Sequence, residues 1–199
     1  MAKWQHVVLG TRCSWLHGDP RGFRNRRHRI DSGGDYRNPP PEGEHEGLHR
    51  YFLEKSRKPV DFDVNVRFMI CRAFVSKLLK MGLRVIAVSV GKRHLHALVF
   101  LIDDYRPKRV LIGRAKQHAS HSVREFLPGR IWGEGGKFKP VDDAPYLRVV
   151  YDYIRTKQEP GTIVWSHNLM EDWIADPNLG VIIMAPGRKH ERLFPASRV

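Results

Sequence analysis

At 199 residues the chain suits one domain, 1–199, with room for an insertion and enough length to bury a substantial core. Lysine and arginine exceed aspartate and glutamate by 35 to 21, and this +14 balance with a pI near 10.2 is the footprint of a protein that meets phosphate backbones, one that ribosomal proteins share. Cys13 and Cys71 are too few for a disulfide framework and sit in no zinc-ligand spacing. No apolar run nears the roughly 18 residues that span a bilayer, and Met1-Ala2-Lys3-Trp4 starts no signal-peptide core, so a reduced, soluble, cytoplasmic protein is expected.

Trp4 to Arg12 is rich in β-formers and reads as a first strand, broken at Gly18-Asp19-Pro20-Arg21-Gly22. From 17 to 63 the chain reads as a basic, loop-like insertion, with five arginines within 21–29, then Gly33-Gly34 and Pro39-Pro40-Pro41, and room for a short helix around 46–56. Val66, Ile70, Ala73, Phe74 and Leu78 recur at helical spacing, and Gly82 supplies a stop. Leu83–Val90 and Arg93–Ile102 are strand-like, and Gly91-Lys92 between them predicts an antiparallel hairpin. Pro107 opens a second helix to about Phe126, and Pro128-Gly129 ends it. Arg130-Ile131-Trp132 and Lys137–Val141 flank Gly133-Glu134-Gly135-Gly136 and suggest a second hairpin. Asp142 or Asp143 caps a third helix over about 144–158, stopped by Pro160-Gly161, and Gly161–Trp165 suggests a further strand. The tail, 168–199, has no legible pattern. The order β-α-β-β-α-β-α matches an α+β, ferredoxin-like split βαβ antiparallel sheet with an added helix, one face of the sheet being covered by helices.

Alternate side chains on a strand share a face, so His94 and His96 point the same way, about 7 Å apart at Cα, as two imidazoles gripping one metal ion would. The plain alternative is one histidine packed and one solvated. Against it, the strand is otherwise wholly apolar (Leu95, Ala97, Leu98, Val99, Phe100) and has little reason to bury two polar rings without partners. Tyr153 on the third helix offers a phenol nucleophile, with Tyr146 and Tyr151 as competitors and simple aromatic packing as the alternative. Along the second helix, Lys108, Arg109, Arg114 and Lys116 form either a DNA-contacting surface or a solvated face. Gly133–Gly136 either approaches phosphates or simply turns. Arg24, Arg26, Arg27 and Arg29 crowd like charge that an anionic partner would relieve. His118 and His121 are read as surface residues.

Together these pieces resemble the single-tyrosine HUH transposases of insertion sequences, including the REP-associated tyrosine transposases. The matching features are the strand His6-Val7-Val8, the histidine–hydrophobic–histidine strand 94–96 and the helix with Ala115-Lys116. Leu127-Pro128 to Ile131-Trp132 and the helix from Tyr153-Ile154 through Gln158 continue the match, about two thirds of the chain in all. The resemblance implies that His94 and His96 ligate Mg²⁺ or Mn²⁺. It also implies that Tyr153 attacks single-stranded DNA, including hairpin ends, to leave a 5′-phosphotyrosine, and that the protein is a homodimer. Many members place a metal-binding glutamine four residues after the tyrosine; here that position is Lys157, set to act on phosphate, and Gln158, which comes fifth and is rotated by about 100° on a helix, is the expected third metal ligand. Two imidazoles are an unusual Mg²⁺ site, which favours Mn²⁺. Rejoining through a phosphotyrosine ester needs no ATP, in keeping with the absence of a GxxxxGK[ST] loop.

Two other readings fit the same pattern. A non-catalytic ferredoxin-like domain reads single-stranded RNA or DNA with exposed strand aromatics and needs no ligand pair. A domesticated relative nicks a host sequence without mobilising anything.

Overall fold

The computed structural model describes residues 1–19, 24–25, 30–31, 43–167 and 181–185. In chain order the elements are β1 (Ala2–Gly10), β2 (Arg24–Asn25), β3 (Ile30–Asp31), α1 (Glu46–Lys55), α2 (Val64–Lys80), β4 (Val85–Val90) and β5 (His94–Ile102). They continue with α3 (Tyr105–Ser122), β6 (Lys137–Val141), α4 (Ala144–Thr156), β7 (Thr162–Ser166) and β8 (Val181–Ala185). The main sheet runs β6-β1-β5-β4-β7-β8 and every neighbouring pair is antiparallel. Its first four strands carry the split βαβ arrangement: β1, α2 and β4 form one crossover, with β5 inserted between β1 and β4, and α3 leads back to β6 at the other side of β1. The fold is therefore the ferredoxin-like α+β sheet that the pattern predicts, extended by β7 and β8 beyond β4.

Alternation along the strands divides the interior in two. Val7 and Leu9 of β1 and Leu95, Ala97, Val99 and Leu101 of β5 face α2 and α3, joining Ile70, Phe74, Leu78, Ile112 and Ala115 in the larger core. Leu98, Ile86 and Ala87 meet Val150, Tyr151 and Ile154 of α4 in a smaller one. Helices thus cover both faces, α2 and α3 on one and α4 on the other; the expectation of one covered face is corrected because α4 carries its own apolar stripe.

Local chemistry sets the helix limits. Asp63 caps α2 by accepting from Val66 N at 2.8 Å. Its far end closes with Gly82 at φ +72°, where Leu83 N donates to Leu78 O and Gly82 N to Leu79 O, a Schellman pairing that favours glycine. α3 starts before Pro107 because Asp104 caps it, accepting from Arg106 N. Asp143 caps α4 through Tyr146 N.

The hairpin expected over 130–141 does not form. Trp132 instead bridges to Thr11, Arg12 N donates to Ile131 O, and Gly133 N donates to Gly10 O, so 131–133 runs beside the chain leaving β1. β6 pairs with β1 itself, Val8 opposite Lys137 and His6 opposite Lys139. The short helix expected near 46–56 forms as α1, and the strand expected after the third helix forms as β7. β8, which no pattern announced, pairs with β7. No helix among the described residues is long and apolar enough to cross a membrane.

Candidate active site

β5 delivers His94 and His96 to the α4 face of the sheet with ring centroids 5.0 Å apart. Sequence reasoning placed a third histidine, His6, on the first strand but gave its imidazole no role. His6, on the neighbouring strand and the same face, sets Nε2 3.0 Å from His96 Nδ1. His6 lies opposite Leu98, one step along the face from His96, so the hydrogen bond is a diagonal cross-strand contact. His6 and His96 are each 8% exposed, while His94 is half-buried at the start of its strand.

Burial pushes the His96 imidazole down to about 3, helped by His6, His94 and Lys139, and pushes His6 down to about 4, helped by Lys139 and Lys137. Both rings are neutral at neutral pH. In a neutral His–His hydrogen bond one ring donates and the other accepts, so their tautomers are linked. Because Nδ1 of His96 is occupied by His6, Nε2 is the nitrogen it has left to offer. Directly opposite His96 on β4, the Ser89 hydroxyl is buried with no hydrogen-bond partner among the described residues.

α4 brings its tyrosines to different places. Tyr151 is 3% exposed and its hydroxyl donates to His167 O at 3.1 Å, which makes it an anchor in the smaller core. Tyr153, two residues on, is 40% exposed and lies over the histidines: its ring stands perpendicular to His96 at 5.5 Å and 6.1 Å from His6. Tyr146 is exposed in the first turn, seven residues earlier and so about 10 Å back along the axis. Of the three candidates, the fold brings Tyr153 to the imidazoles.

α4 ends at Thr156, so the residues after it leave helical geometry. Lys157 is the exposed C-cap residue. The Gln158 side chain turns back, its Nε2 donating to Tyr153 O at 2.8 Å. Glu159, which the sequence reading passed over, accepts from Lys92 N in the β4–β5 turn. Gly91 makes this approach feasible: a methyl group there would stand 2.5 Å from Glu159 Oε1 and 3.0 Å from His94 Nε2.

The proposed DNA contacts scatter. α3 packs on the face of the sheet opposite the histidines and Tyr153. On it, Lys108 is buried against Asp103, Nζ to Oδ1 3.2 Å. Lys116 directs Nζ to Gly133 O and Gly135 O, both at 2.9 Å, and burial, with Arg130 and Arg109 nearby, pushes its ammonium down to about 8. Arg114 is exposed, and Arg109 is exposed beside the Tyr105 ring. Arg24 lies in β2, and Arg26, Arg27 and Arg29 lie outside the described residues. Among the described residues, the basic groups beside the imidazoles are Lys139 and Lys137 of β6, on the α4 face while Phe138 between them joins the larger core.

The donors fit a divalent ion in part. Two imidazoles, His94 and His96, share a face and oxygen donors follow Tyr153, yet among the described residues no three His, Cys, Asp or Glu side chains form a ready cage.

No family model and no curated protein matches the chain. Among solved structures, a REP-associated tyrosine transposase bound to a REP hairpin is similar at 14% identity with a TM-score of 0.38, the match covering 76% of this chain and 64% of that one.

Proposed function

We propose that the protein is a single-tyrosine nuclease and strand transferase acting on single-stranded DNA, with Tyr153 as nucleophile and His94 and His96 as ligands for Mg²⁺ or Mn²⁺. The observation that carries this reading is the meeting of a half-exposed phenol with the strand-borne imidazoles of His96 and His6, Tyr153 standing perpendicular to His96 at 5.5 Å and 6.1 Å from His6. A packed aromatic would be buried, as Tyr151 is. The +14 charge and the resemblance to HUH transposases support the substrate class.

The ion, when bound, polarises the scissile phosphate as a Lewis acid. Tyr153 Oη forms the new bond to phosphorus, the bond from phosphorus to the 3′ oxygen breaks, the phenolic proton leaves and the departing oxygen takes one up. The result is a 5′-phosphotyrosine that the reverse step resolves on another 3′ end. Lys137 and Lys139 offset charge gathering on the phosphate oxygens, and Lys157, one turn beyond Tyr153, reaches the same strand. His6 holds the His96 ring through Nδ1. The oxygen donor comes from the segment after α4, where Gln158 is the residue that the resemblance implies and Glu159 stands beside it. The same resemblance implies a homodimer, which sedimentation would test.

The test is incubation of the protein with labelled single-stranded oligonucleotides and Mn²⁺, followed by denaturing electrophoresis. A protein-linked DNA band that requires metal and vanishes in Tyr153→Phe is the expected outcome. DNA binding without cleavage in every metal would leave only a binding module.

A further inference from the structure

We propose that a cavity at the His94 end of the sheet seats one unpaired base of the DNA strand, with the flanking phosphates on Arg12 and Arg130; the inference rests on the single-stranded DNA reading above. The cavity holds about 410 Å³ and lies between the chain leaving β1, Phe52 and Ser56 at the end of α1, and the 130–134 segment. That volume falls in the range of small-molecule sites and admits a nucleotide. Gly10, in its lining, is paired with His94. Along the strands the order is therefore Tyr153 over His96, then His94, then the cavity. A DNA strand laid from Tyr153 past His94 runs into it.

The lining combines flat aromatic surface with positive charge. His17 packs on Phe52 with ring centroids 4.9 Å apart, and Trp15 is 56% exposed. Arg130 is steadied by Nε donating to Trp132 O at 3.2 Å, and among the described residues neither it nor Arg12 is paired with a carboxylate. Glu134 is the one acid in the lining. Aromatic rings for a base and guanidinium groups for its phosphates are the combination by which proteins hold single strands. Two local costs mark the same wall. Cys13 holds φ +59° without being glycine, and the Thr11 hydroxyl is buried with no hydrogen-bond partner among the described residues. Costs of this kind gather at ligand sites, where the surrounding structure sustains them.

The experiment measures binding of the full chain to a labelled single-stranded oligodeoxyadenylate and to the same backbone carrying abasic sites, by fluorescence anisotropy in metal-free buffer, where the strand stays uncut. Trp15→Ala should weaken oligodeoxyadenylate binding about 5- to 150-fold, the span of one base–aromatic stack, and leave abasic binding at wild-type affinity. Trp15→Phe keeps a ring and should recover most of the loss; thermal melting checks that each variant folds. Arg12→Ala together with Arg130→Ala should lower the log–log salt slope by about 1.4 on both strands, at about 0.7 per phosphate. Wild-type affinity of Trp15→Ala for oligodeoxyadenylate, or an equal loss on both strands, overturns the base seat, and an unchanged slope overturns the arginine contacts. Binding of neither strand by wild type overturns the cavity and the DNA reading together. Failure of the covalent-adduct test with the Trp15 difference intact removes the nuclease and keeps the cavity.

Discussion

His6 Nε2 and His96 Nδ1 face each other at 3.0 Å across β1 and β5, both rings buried and neutral. Such a contact fixes a ring's rotation and tautomer, the part outer partners of metal-bound histidines play. His6→Leu keeps the bulk and loses the hydrogen bond, whereas His6→Gln retains a polar group at similar reach. Mn²⁺ affinity should fall about tenfold or more in His6→Leu and recover substantially in His6→Gln. Equal affinities in both variants and wild type would show that His6 merely packs.

Tyr151 and Tyr153 separate structure from chemistry on one helix. Tyr151→Phe removes a hydrogen bond to His167 O and should cost about 1 kcal/mol in urea unfolding, with covalent adduct formation retained. Tyr153→Phe should unfold like wild type, bind single-stranded DNA and metal, and form no adduct. Peptide mapping of trapped DNA checks the assignment, and DNA found on Tyr146 or Tyr151 would move the nucleophile.

How much of this was legible in the sequence depends on the range of the signal. A strand-like apolar run beside the Gly91-Lys92 turn announced β5 and its histidine pair, and capping and periodicity announced α2 and α4, because each is local. His6 was legible as part of the first strand but not in its role, which appears only once β1 lies beside β5. Lys137 and Lys139 were visible as charges, but the pattern assigned their strand a hairpin partner in 130–132, so the face they share with His6 was hidden. α3 departs from its sequence reading in part: its basic residues read either as a DNA surface or as a solvated face, and Lys108 and Lys116 are instead drawn inward to Asp103 and to the carbonyls of Gly133 and Gly135.

That difference bears on DNA binding. Lys137→Ala together with Lys139→Ala should lower the log–log salt slope for single-stranded DNA by about 1.4, at about 0.7 per phosphate contact. Lys116→Ala should act mainly on stability by freeing two loop carbonyls. Deleting 21–29 tests the arginine cluster in the same assay. An unchanged slope in the double lysine variant would place the strand away from β6.

Acid should expose the buried imidazoles. His6 and His96 titrate near 4 and 3 in the folded protein but near 6.5 when unfolded, so below about 6.5 the unfolded chain binds protons that the folded chain refuses. Their contribution is therefore complete above about 6.5 and is lost progressively as pH falls toward the folded values. His118, lowered mainly by burial with Lys77 and Lys80 nearby, acts in the same direction. Asp61 and Asp103, held down by hydrogen bonds to Arg93 and Lys3, add acid sensitivity mainly below their ordinary value of 3.8, which leaves pH 4.5 to 6.5 as the histidine window. Urea midpoints measured in metal-free buffer should fall across that window in wild type. His6→Leu removes one of the two buried rings and relieves the other of a neighbour, so its midpoint should fall less steeply. Parallel curves for the two proteins would mean that these rings take up protons without unfolding, and that the site opens to water more readily than its 8% exposure implies.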